Sequence, residues 1–174
     1  MSKAVLISIH PKWCDLIAGG EKTIEVRKTR PKIKTPFKCY IYMTSGGYEW
    51  RDAWCTAVMP PKGQLYNGAQ KVIGEFVCDE IEYALDVFNK GSSWQPLLKK
   101  ACVSGKEADD YAQGKFLYFW HISNVKIYDA PKNLSEFRRH DPTYDFSVFG
   151  ECSRTYSIQR APQSWCYVEE AMES

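Results

Sequence analysis

A glycine turn followed by alternating charged and apolar residues constrains the fold of this chain more than any other sequence feature does. Residues 20–28 read GEKTIEVRK, and the β-branched residues after the turn are typical of a strand. Because strand side chains alternate between faces, Thr23, Glu25 and Arg27 share one face, and the two apolar residues between them share the other. The segment therefore predicts a strand with one charged face, with Lys22 just before it.

The cluster of Lys22, Glu25 and Arg27 has two readings. On a surface it is an ion network that only ties loops together. In a partly closed pocket the ions must satisfy one another, because a lone buried charge is very costly. Glu25 between two cations is then expected to stay ionised and to accept from an exocyclic amine such as cytosine N4. Arg27 offers donors to a phosphate or carbonyl, and Lys22 contacts a phosphate or, if desolvated, acts as a base or nucleophile.

The segments around this motif predict a chain of short strands with few long helices. Strands are expected at Val5–Ile9, Phe37–Met43, Lys71–Ile81, Phe116–Tyr128 with a bend near Asn124, and Gln159–Val168. Helical segments are expected at Pro11–Ala18, ended by Gly19-Gly20, and at a single turn over Leu134–Phe137 opened by Asn133. Residues 48–68 and 138–158 have no clear pattern and are interpreted as loops.

Residues 83–114 break the β rhythm and predict a helical insertion. Trp94–Ala101 is expected to be helical, and Ser104 is the expected N-cap of a further helix with Glu107 at the capping-box position. The insertion is interpreted as a decoration of one domain that spans residues 1–174, with a mainly β (α+β) fold. One alternative function is an adaptor in which this insertion docks another protein.

The motif and its setting resemble a known family. Gly20-x-Lys22-x-x-Glu25-x-Arg27 is similar to the G-x-K-x-x-E-x-R signature of the ASCH domain, in the PUA-like superfamily of small β-barrels. Further similar segments are Leu6–Ile9, residues 71–76 (KVIGEF), residues 120–128 (WHISNVKIY) and residues 162–165 (PQSW). The resemblance runs from about Val5 to Val168 and implies a PUA-like small β-barrel with the first helix over it.

The resemblance also implies a site and a ligand. It places Lys22, Glu25 and Arg27 in a cleft between the barrel and the first helix, and it implies binding of RNA or of a nucleotide or modified base. Binding of single-stranded RNA needs a stacking aromatic ring, base-edge groups and cations for phosphate. The other residues expected to join the site are Ser8, Thr44, Ser45, Glu75, Trp120 and Trp165. A buried Glu75 is expected to pair with Lys22 or Arg27, or else to point to solvent.

The alternative implied by the resemblance is a small hydrolase that uses Lys22, with Glu25 as a second catalytic group. Relatives are described as ribonucleases or as N4-acetylcytidine amidohydrolases. The amidohydrolase type pairs the motif lysine with a threonine where this chain has Glu25, so the expected hydroxyl nucleophile is missing. Thr23 lies on the same predicted face but at a different spacing from Lys22.

Charge, cysteine content and hydropathy limit the classes of function and the cellular location that we expect. The formal net charge is only +2, but residues 22–38 hold seven cations and one acid, Glu25, which predicts a local basic patch. Seven cysteines without C-x-x-C spacing and three scattered histidines predict no metal site and no cofactor. With no signal peptide and no apolar run of the ~20 residues that a membrane helix needs, we expect free thiols in a reducing cytoplasm.

Overall fold

The strands at the two edges of the main sheet are short, and two of the strands inside it are long. A computed structural model describes residues 3–45, 70–84, 94–140 and 155–170. The strands in these ranges are β1 (Lys3–Ile9), β2 (Ile24–Arg27), β3 (Phe37–Met43), β4 (Lys71–Ala84), β5 (Leu117–Lys132), β6 (Arg138–His140), β7 (Thr155–Ser157) and β8 (Trp165–Glu169). The helices are α1 (Pro11–Ala18), α2 (Gln95–Ala101) and α3 (Gly105–Ala112), with a 3₁₀ turn at Leu134–Glu136.

Six strands form one mixed sheet in the order β2-β5-β4-β3-β1-β8, and β6 pairs with β7 separately. Only the β1–β3 pair is parallel among the described strands. The mainly β class is thereby confirmed. Strand pairing does not close the described sheet into a barrel, because β2 and β8 remain its edges. A side-chain hydrogen bond joins β8 to the segment just after β2: Trp165 Nε1 donates to Thr29 Oγ1 at 2.9 Å.

The middle of the sheet is covered on both faces, which explains why β1 is apolar at successive positions. Val5, Ile7 and Ile9 pack into one core cluster with residues of β3, β4 and α1. Ala4 and Leu6 point the other way, into a second cluster that includes Phe137 and Ile158. The first of these clusters supports the charged face of β2, because Trp120 of β5 belongs to it.

Most predicted elements in the described ranges are found with small changes in their bounds. Helix α1 and strand β3 begin and end where the sequence predicts. Strand β2 is shorter than predicted, and β8 begins at Trp165 and not at the predicted Gln159, whereas β4 continues to Ala84 and β5 to Lys132. The predicted bend lies at Asn124, whose φ of 49° is in the left-handed region. The predicted loop over 48–68 lies outside the described residues.

The prediction that all of 138–158 is a loop was wrong. Arg138–His140 and Thr155–Ser157 pair as antiparallel strands. These three-residue strands read RRH and TYS, and neither is long enough to show an apolar alternation. The register Arg138↔Ser157 depends on pairing across the chain, which the local sequence does not reveal.

The helical insertion packs onto the strand that carries the motif. Leu97, Leu98 and Ala101 of α2 lie in one apolar cluster with Ile24 of β2 and Phe119 of β5. The predicted cap of α3 is present, with Ser104 and Glu107 forming a reciprocal capping box. Residues 85–93 lie outside the described residues. The insertion thus covers the apolar face of β2 and fixes the strand from behind.

Candidate functional site

The turn before β2 places Lys22 at the start of the charged face. Helix α1 ends at Ala18, and Gly20 adopts a φ of 78°, which a residue with a Cβ rarely adopts. The backbone N–H groups of Glu21 and Lys22 both donate to the carbonyl of Leu16 at 2.9 Å. The chain therefore turns back against α1 before it enters the strand.

Strand β2 then alternates as the sequence predicts. Ile24 and Val26 belong to the apolar cluster shared with the insertion. Glu25 pairs with Trp120 of β5, and Arg27 lies two residues further along the same face. All four residues of the strand are buried, including the two charged ones. The charged face consequently lies inside the protein and not on a solvated surface.

The three motif ions form one buried network. Arg27 Nη2 lies 3.0 Å from Glu25 Oε1, and Lys22 Nζ lies 3.5 Å from Glu25 Oε2. Arg27 Nη2 also donates to the carbonyl of Ser8 at 2.6 Å. Lys22 Nζ donates to the carbonyl of Ala101, at the end of α2, at 2.6 Å and lies 4.8 Å from the ring centroid of Trp13. No more than 7% of any motif residue is exposed.

This network leaves two polar groups with no hydrogen-bond partner among the described residues. They are Glu25 Oε2 and Arg27 Nε. The 3.5 Å ion pair with Lys22 gives Glu25 Oε2 an electrostatic partner, but the oxygen keeps its accepting capacity. Buried carboxylate oxygens are usually hydrogen-bonded, so an open acceptor at this position requires an explanation.

A cleft of about 360 Å³ opens directly over the motif. This volume lies within the range of small-ligand sites, about 300–1,000 Å³. Five of the residues predicted for the site line the cleft: Ser8, Lys22, Glu25, Arg27 and Thr44. The remaining lining residues come mainly from the start of α1 and from α3: His10, Trp13, Val26, Val103, Glu107, Ala108 and Tyr111. The cleft therefore has a charged floor between two helical walls.

Ser8 and Thr44 are held in place by neighbouring backbone. The Ser8 hydroxyl donates to the carbonyl of Pro162 at 2.6 Å, and the Thr44 N–H donates to the carbonyl of Ile9 at 2.9 Å. Ser45, in contrast, is exposed and does not line the cleft. Thr23, the possible substitute nucleophile, is also exposed and absent from the lining.

Glu75 does not pair with the motif cations, so the expected partner was wrong. Its carboxylate accepts from the Tyr128 hydroxyl at 2.5 Å and lies 3.5 Å from Lys38 Nζ. Glu75 stands on β4, two strands away from β2 in the sheet. Its partners come from the neighbouring strands β3 and β5, so Glu75 contributes to the sheet and not to the cleft.

The two predicted stacking residues lie behind the cleft. Trp120 is fully buried, and its ring packs edge-on against Phe37 and 5.9 Å from the ring of Trp165. Trp165 is half-buried, and its indole N–H donates a hydrogen bond to Thr29 Oγ1. Neither lines the cleft. The pairing of Trp120 with Glu25 makes it a rigid support for the carboxylate.

The aromatic rings that do line the cleft are Trp13 and Tyr111, which sequence reasoning did not include among the site residues. Glu107, Ala108 and Tyr111 occupy one face of α3 at i, i+1 and i+4. This spacing is the sequence feature that indicates that the three residues lie together. Burial raises the pKa of the Tyr111 phenol, while nearby Arg27 acts in the opposite direction. The Tyr111 hydroxyl therefore stays protonated at neutral pH.

Within the described ranges, no group of three or more His, Cys, Asp or Glu residues is arranged to hold a metal ion. Likewise, no described helix has the length and apolarity needed to cross a bilayer.

Comparisons with known proteins agree with this architecture. The chain is similar in structure to the ASCH protein of Zymomonas mobilis, with a TM-score of 0.58 and 18% identity, covering 96% of this chain and 88% of that one. A tyrosine-to-phenylalanine mutant of the same bacterial protein gives a TM-score of 0.59 and 18% identity, covering 97% and 92%. No curated protein sequence matches significantly. The family model of the ASCH domain matches residues 7–171, and the chain therefore belongs to the ASCH domain family.

Proposed function

We propose that the cleft binds one base of a single-stranded RNA and that Glu25 accepts a hydrogen bond from the exocyclic amine of that base. The observation that carries the proposal is Glu25 Oε2, which has no hydrogen-bond partner among the described residues and belongs to a residue that is 94% buried and lines the cleft. A base amine is a donor of matching chemistry, as in the pairing of Glu or Asp with cytosine N4.

The two motif cations, Arg27 and Lys22, complement the acceptor atoms beside the amine of such a base. Arg27 and Lys22 hold the carboxylate from two sides, so its direction is fixed before a ligand arrives. Cytosine carries acceptor atoms beside its amine, and cations at the same floor complement them. Uracil has a carbonyl where cytosine has the amine, so its oxygen would face the carboxylate. We therefore expect cytosine to be preferred to uracil.

The walls of the cleft carry two aromatic rings. Lys12 Nζ and Lys22 Nζ lie 4.5 Å and 4.8 Å from the ring centroid of Trp13. Tyr111, which projects from α3 and is 40% exposed, is therefore the ring offered to a base. Stacking on an aromatic side chain is worth about 1–3 kcal/mol per base. Membership of the ASCH family supports RNA as the ligand class, since these domains are generally taken to bind RNA.

The geometry favours binding over hydrolysis. A lysine nucleophile or base needs an unprotonated amine with a free lone pair. Lys22 Nζ is instead held by a 2.6 Å hydrogen bond to a backbone carbonyl and by its pairing with Glu25 at 3.5 Å. The hydroxyl of Ser8 is committed to Pro162. These contacts among the described residues favour binding as the function of the cleft.

Fluorescence anisotropy with labelled oligocytidine (rC8) tests the proposal. At low salt, where phosphate contacts are strongest, the protein is expected to bind rC8. Replacing Tyr111→Ala is expected to weaken binding about tenfold, as loss of one stacked base predicts. Tyr156→Ala is the matched control, because Tyr156 is 43% exposed and lies outside the cleft. Absence of binding at low salt, or equal effects of the two substitutions, would refute the proposal.

A further inference from the structure

A second surface lies next to the cleft, and we call it the basic groove. It is formed by the loop of residues 28–35 together with Ile81 of β4 and Tyr118 of β5, and it encloses about 870 Å³. The loop reads KTRPKIKT, so its cations are Lys28, Arg30, Lys32 and Lys34. None of the ten residues that line the groove is acidic. The groove is therefore complementary to a chain of negative charges.

A row of aromatic residues continues from the cleft across the sheet. In the strand register, Arg27 of β2 pairs with Tyr118 of β5, and Tyr118 pairs with Tyr83 of β4. Residues directly opposite each other share a face of the sheet. The ring of Phe116 lies 6.1 Å from that of Tyr83, and the ring of Tyr118 lies 6.4 Å from it. We call Tyr83, Phe116 and Tyr118 the aromatic platform.

Two of the three platform residues are exposed although they are large, and Tyr118 is half-buried against the core. Tyr83 is 63% exposed and Phe116 is 42% exposed. Adjacent exposed aromatic rings leave apolar area in water, and such patches mark binding sites more often than single exposed residues do. Because Tyr118 lines the basic groove, the platform and the cations form one continuous surface. Interleaved cations and aromatic rings are the combination that binds single-stranded nucleic acid.

Lys28 links this surface to the cleft. It lines the groove, and its Nζ lies 4.8 Å from the ring centroid of Tyr111, which lines the cleft. Neighbouring strands are about 4.8 Å apart, so the two strand steps from Arg27 to Tyr83 span about 10 Å. A ligand that fills the cleft with one base is thus within reach of the platform with the next nucleotides.

We infer that the basic groove and the aromatic platform bind the nucleotides that flank the base in the cleft, so the ligand is an RNA strand of several nucleotides and not a free nucleoside. This inference rests on the proposed function for the base in the cleft. The groove contacts the phosphates, and the platform stacks bases without reading their identity.

The test compares rC8, which reaches both surfaces, with cytidine monophosphate (CMP), which fills only the cleft. The double substitution Tyr83→Ser with Phe116→Ser is expected to weaken rC8 binding at least tenfold and to leave CMP binding unchanged. Tyr156→Ser is the matched control for an exposed tyrosine. Thermal unfolding midpoints check that each variant is folded.

The contribution of the groove is read from the salt dependence of rC8 binding. Each phosphate contact with a single strand contributes about 0.7 to the slope of log affinity against log salt. The triple substitution of Arg30, Lys32 and Lys34 by serine is therefore expected to reduce the slope by about 2. Lys126→Ser is the control, because Lys126 is an exposed cation on β5, past the bend at Asn124, and does not line the groove.

The outcomes separate this inference from the proposed function. If neither set of substitutions changes rC8 binding more than twofold while CMP binds, the flanking surface is refuted and the cleft proposal stands. If wild-type protein fails to bind CMP but rC8 binding depends on the platform, the cleft proposal fails and the flanking surface stands. If poly-L-glutamate displaces rC8 at equal charge concentration, the groove binds acidic polymers in general, and its assignment to RNA is overturned.

Discussion

Lys22 Nζ donates a 2.6 Å hydrogen bond to the carbonyl oxygen of Ala101, 79 residues further along the chain. This bond joins the motif to the C-terminal end of α2, where carbonyl oxygens lack partners within the helix. A cation at that end is also favourable for the helix dipole. The same ammonium group pairs with Glu25 at 3.5 Å. Lys22 thus stabilises the insertion and the carboxylate of the cleft together.

Replacing Lys22→Met is therefore expected to be strongly destabilising. Removing one partner of a buried ion pair leaves an uncompensated charge and typically costs about 3–5 kcal/mol. Denaturant unfolding measures this loss. Lys99→Met is the matched control, because Lys99 is an exposed lysine near the same end of α2 and should change the free energy of unfolding by about 0.5 kcal/mol or less. Similar losses in the two variants would argue against the network.

A double substitution separates the charge from the packing. Lys22→Met combined with Glu25→Gln is expected to be less destabilising than the sum of the two single changes, because the unpaired carboxylate is gone. Groups in direct contact typically show coupling energies of about 0.5–3 kcal/mol in such a cycle. Additive losses would mean that Lys22 and Glu25 do not stabilise each other.

Gly74 is expected to tolerate no side chain. A Cβ at this position would clash with the carbonyl oxygen of Lys126 and lie 3.1 Å from Cα of Ile127, on the neighbouring strand β5. Backbone atoms cannot move away cheaply, so Gly74→Ala should lower the free energy of unfolding by about 1–3 kcal/mol. Gly19→Ala is the control: its φ is −73° and its nearest contact is 3.4 Å. An equally stable Gly74→Ala variant would contradict the close strand packing.

The N-terminal cap of α3 is expected to stabilise this helix, which forms one wall of the cleft. The Ser104 hydroxyl accepts from the Glu107 N–H at 3.2 Å, and the Ser104 N–H donates to Glu107 Oε2 at 2.7 Å. Ser104→Ala removes the hydroxyl and is expected to cost about 1 kcal/mol. Amide hydrogen exchange across Gly105–Ala112 should become faster in this variant. Unchanged protection of α3 would show that the cap is not needed for the helix.

The same capping box has a pH signature. Hydrogen bonds from the Ser104 N–H and hydroxyl lower the pKa of the Glu107 carboxyl. A depressed folded-state pKa contributes stability above the unfolded pKa, and that stability is lost as pH falls through the folded value. The stability advantage of wild type over Glu107→Gln should therefore be present at neutral pH and vanish in acid. NMR titration of Glu107 checks the direction, and a raised pKa would contradict it.

The cysteines should differ in reactivity. Burial raises the pKa of the Cys14 and Cys39 thiols well above the usual range and that of Cys78 to about 12. Because the thiolate is the reactive form, these three should resist iodoacetamide at pH 8, while the partly exposed Cys102 reacts before them. Peptide mapping by mass spectrometry measures the order. Faster labelling of Cys14 than of Cys102 would show that the space beneath the cleft is open.

Local sequence predicted the parts of this protein whose structure is set by neighbouring residues. The bounds of α1 follow from Pro11 and the two glycines after it, and the alternation of β2 follows from its own pattern. The capping box at Ser104 was equally readable, because both partners lie within four residues. In each case the interacting groups are close in sequence, so the local sequence pattern is enough to predict the structure.

Long-range partners were not predictable in the same way. The second wall of the cleft comes from α3, some eighty residues after the motif, and only the fold brings Tyr111 to it. Trp120 was expected at the ligand, but its register with Glu25 and its packing on Phe37 place it in the core. The partners of Glu75 likewise depend on neighbouring strands.

The most direct test of the base-binding proposal is the preference for rC8 over rU8 in wild type and in Glu25→Gln. A hydrogen bond to a charged group is worth about 1.5–3 kcal/mol, so wild type should prefer rC8 by at least roughly tenfold. Glu25→Gln removes the charge and presents a donor as well as an acceptor, so the preference should fall to about twofold or less. The unfolding midpoint of the variant confirms that it is folded. Equal binding of rC8 and rU8 by wild type, or an unchanged preference in Glu25→Gln, would contradict the assignment of Glu25.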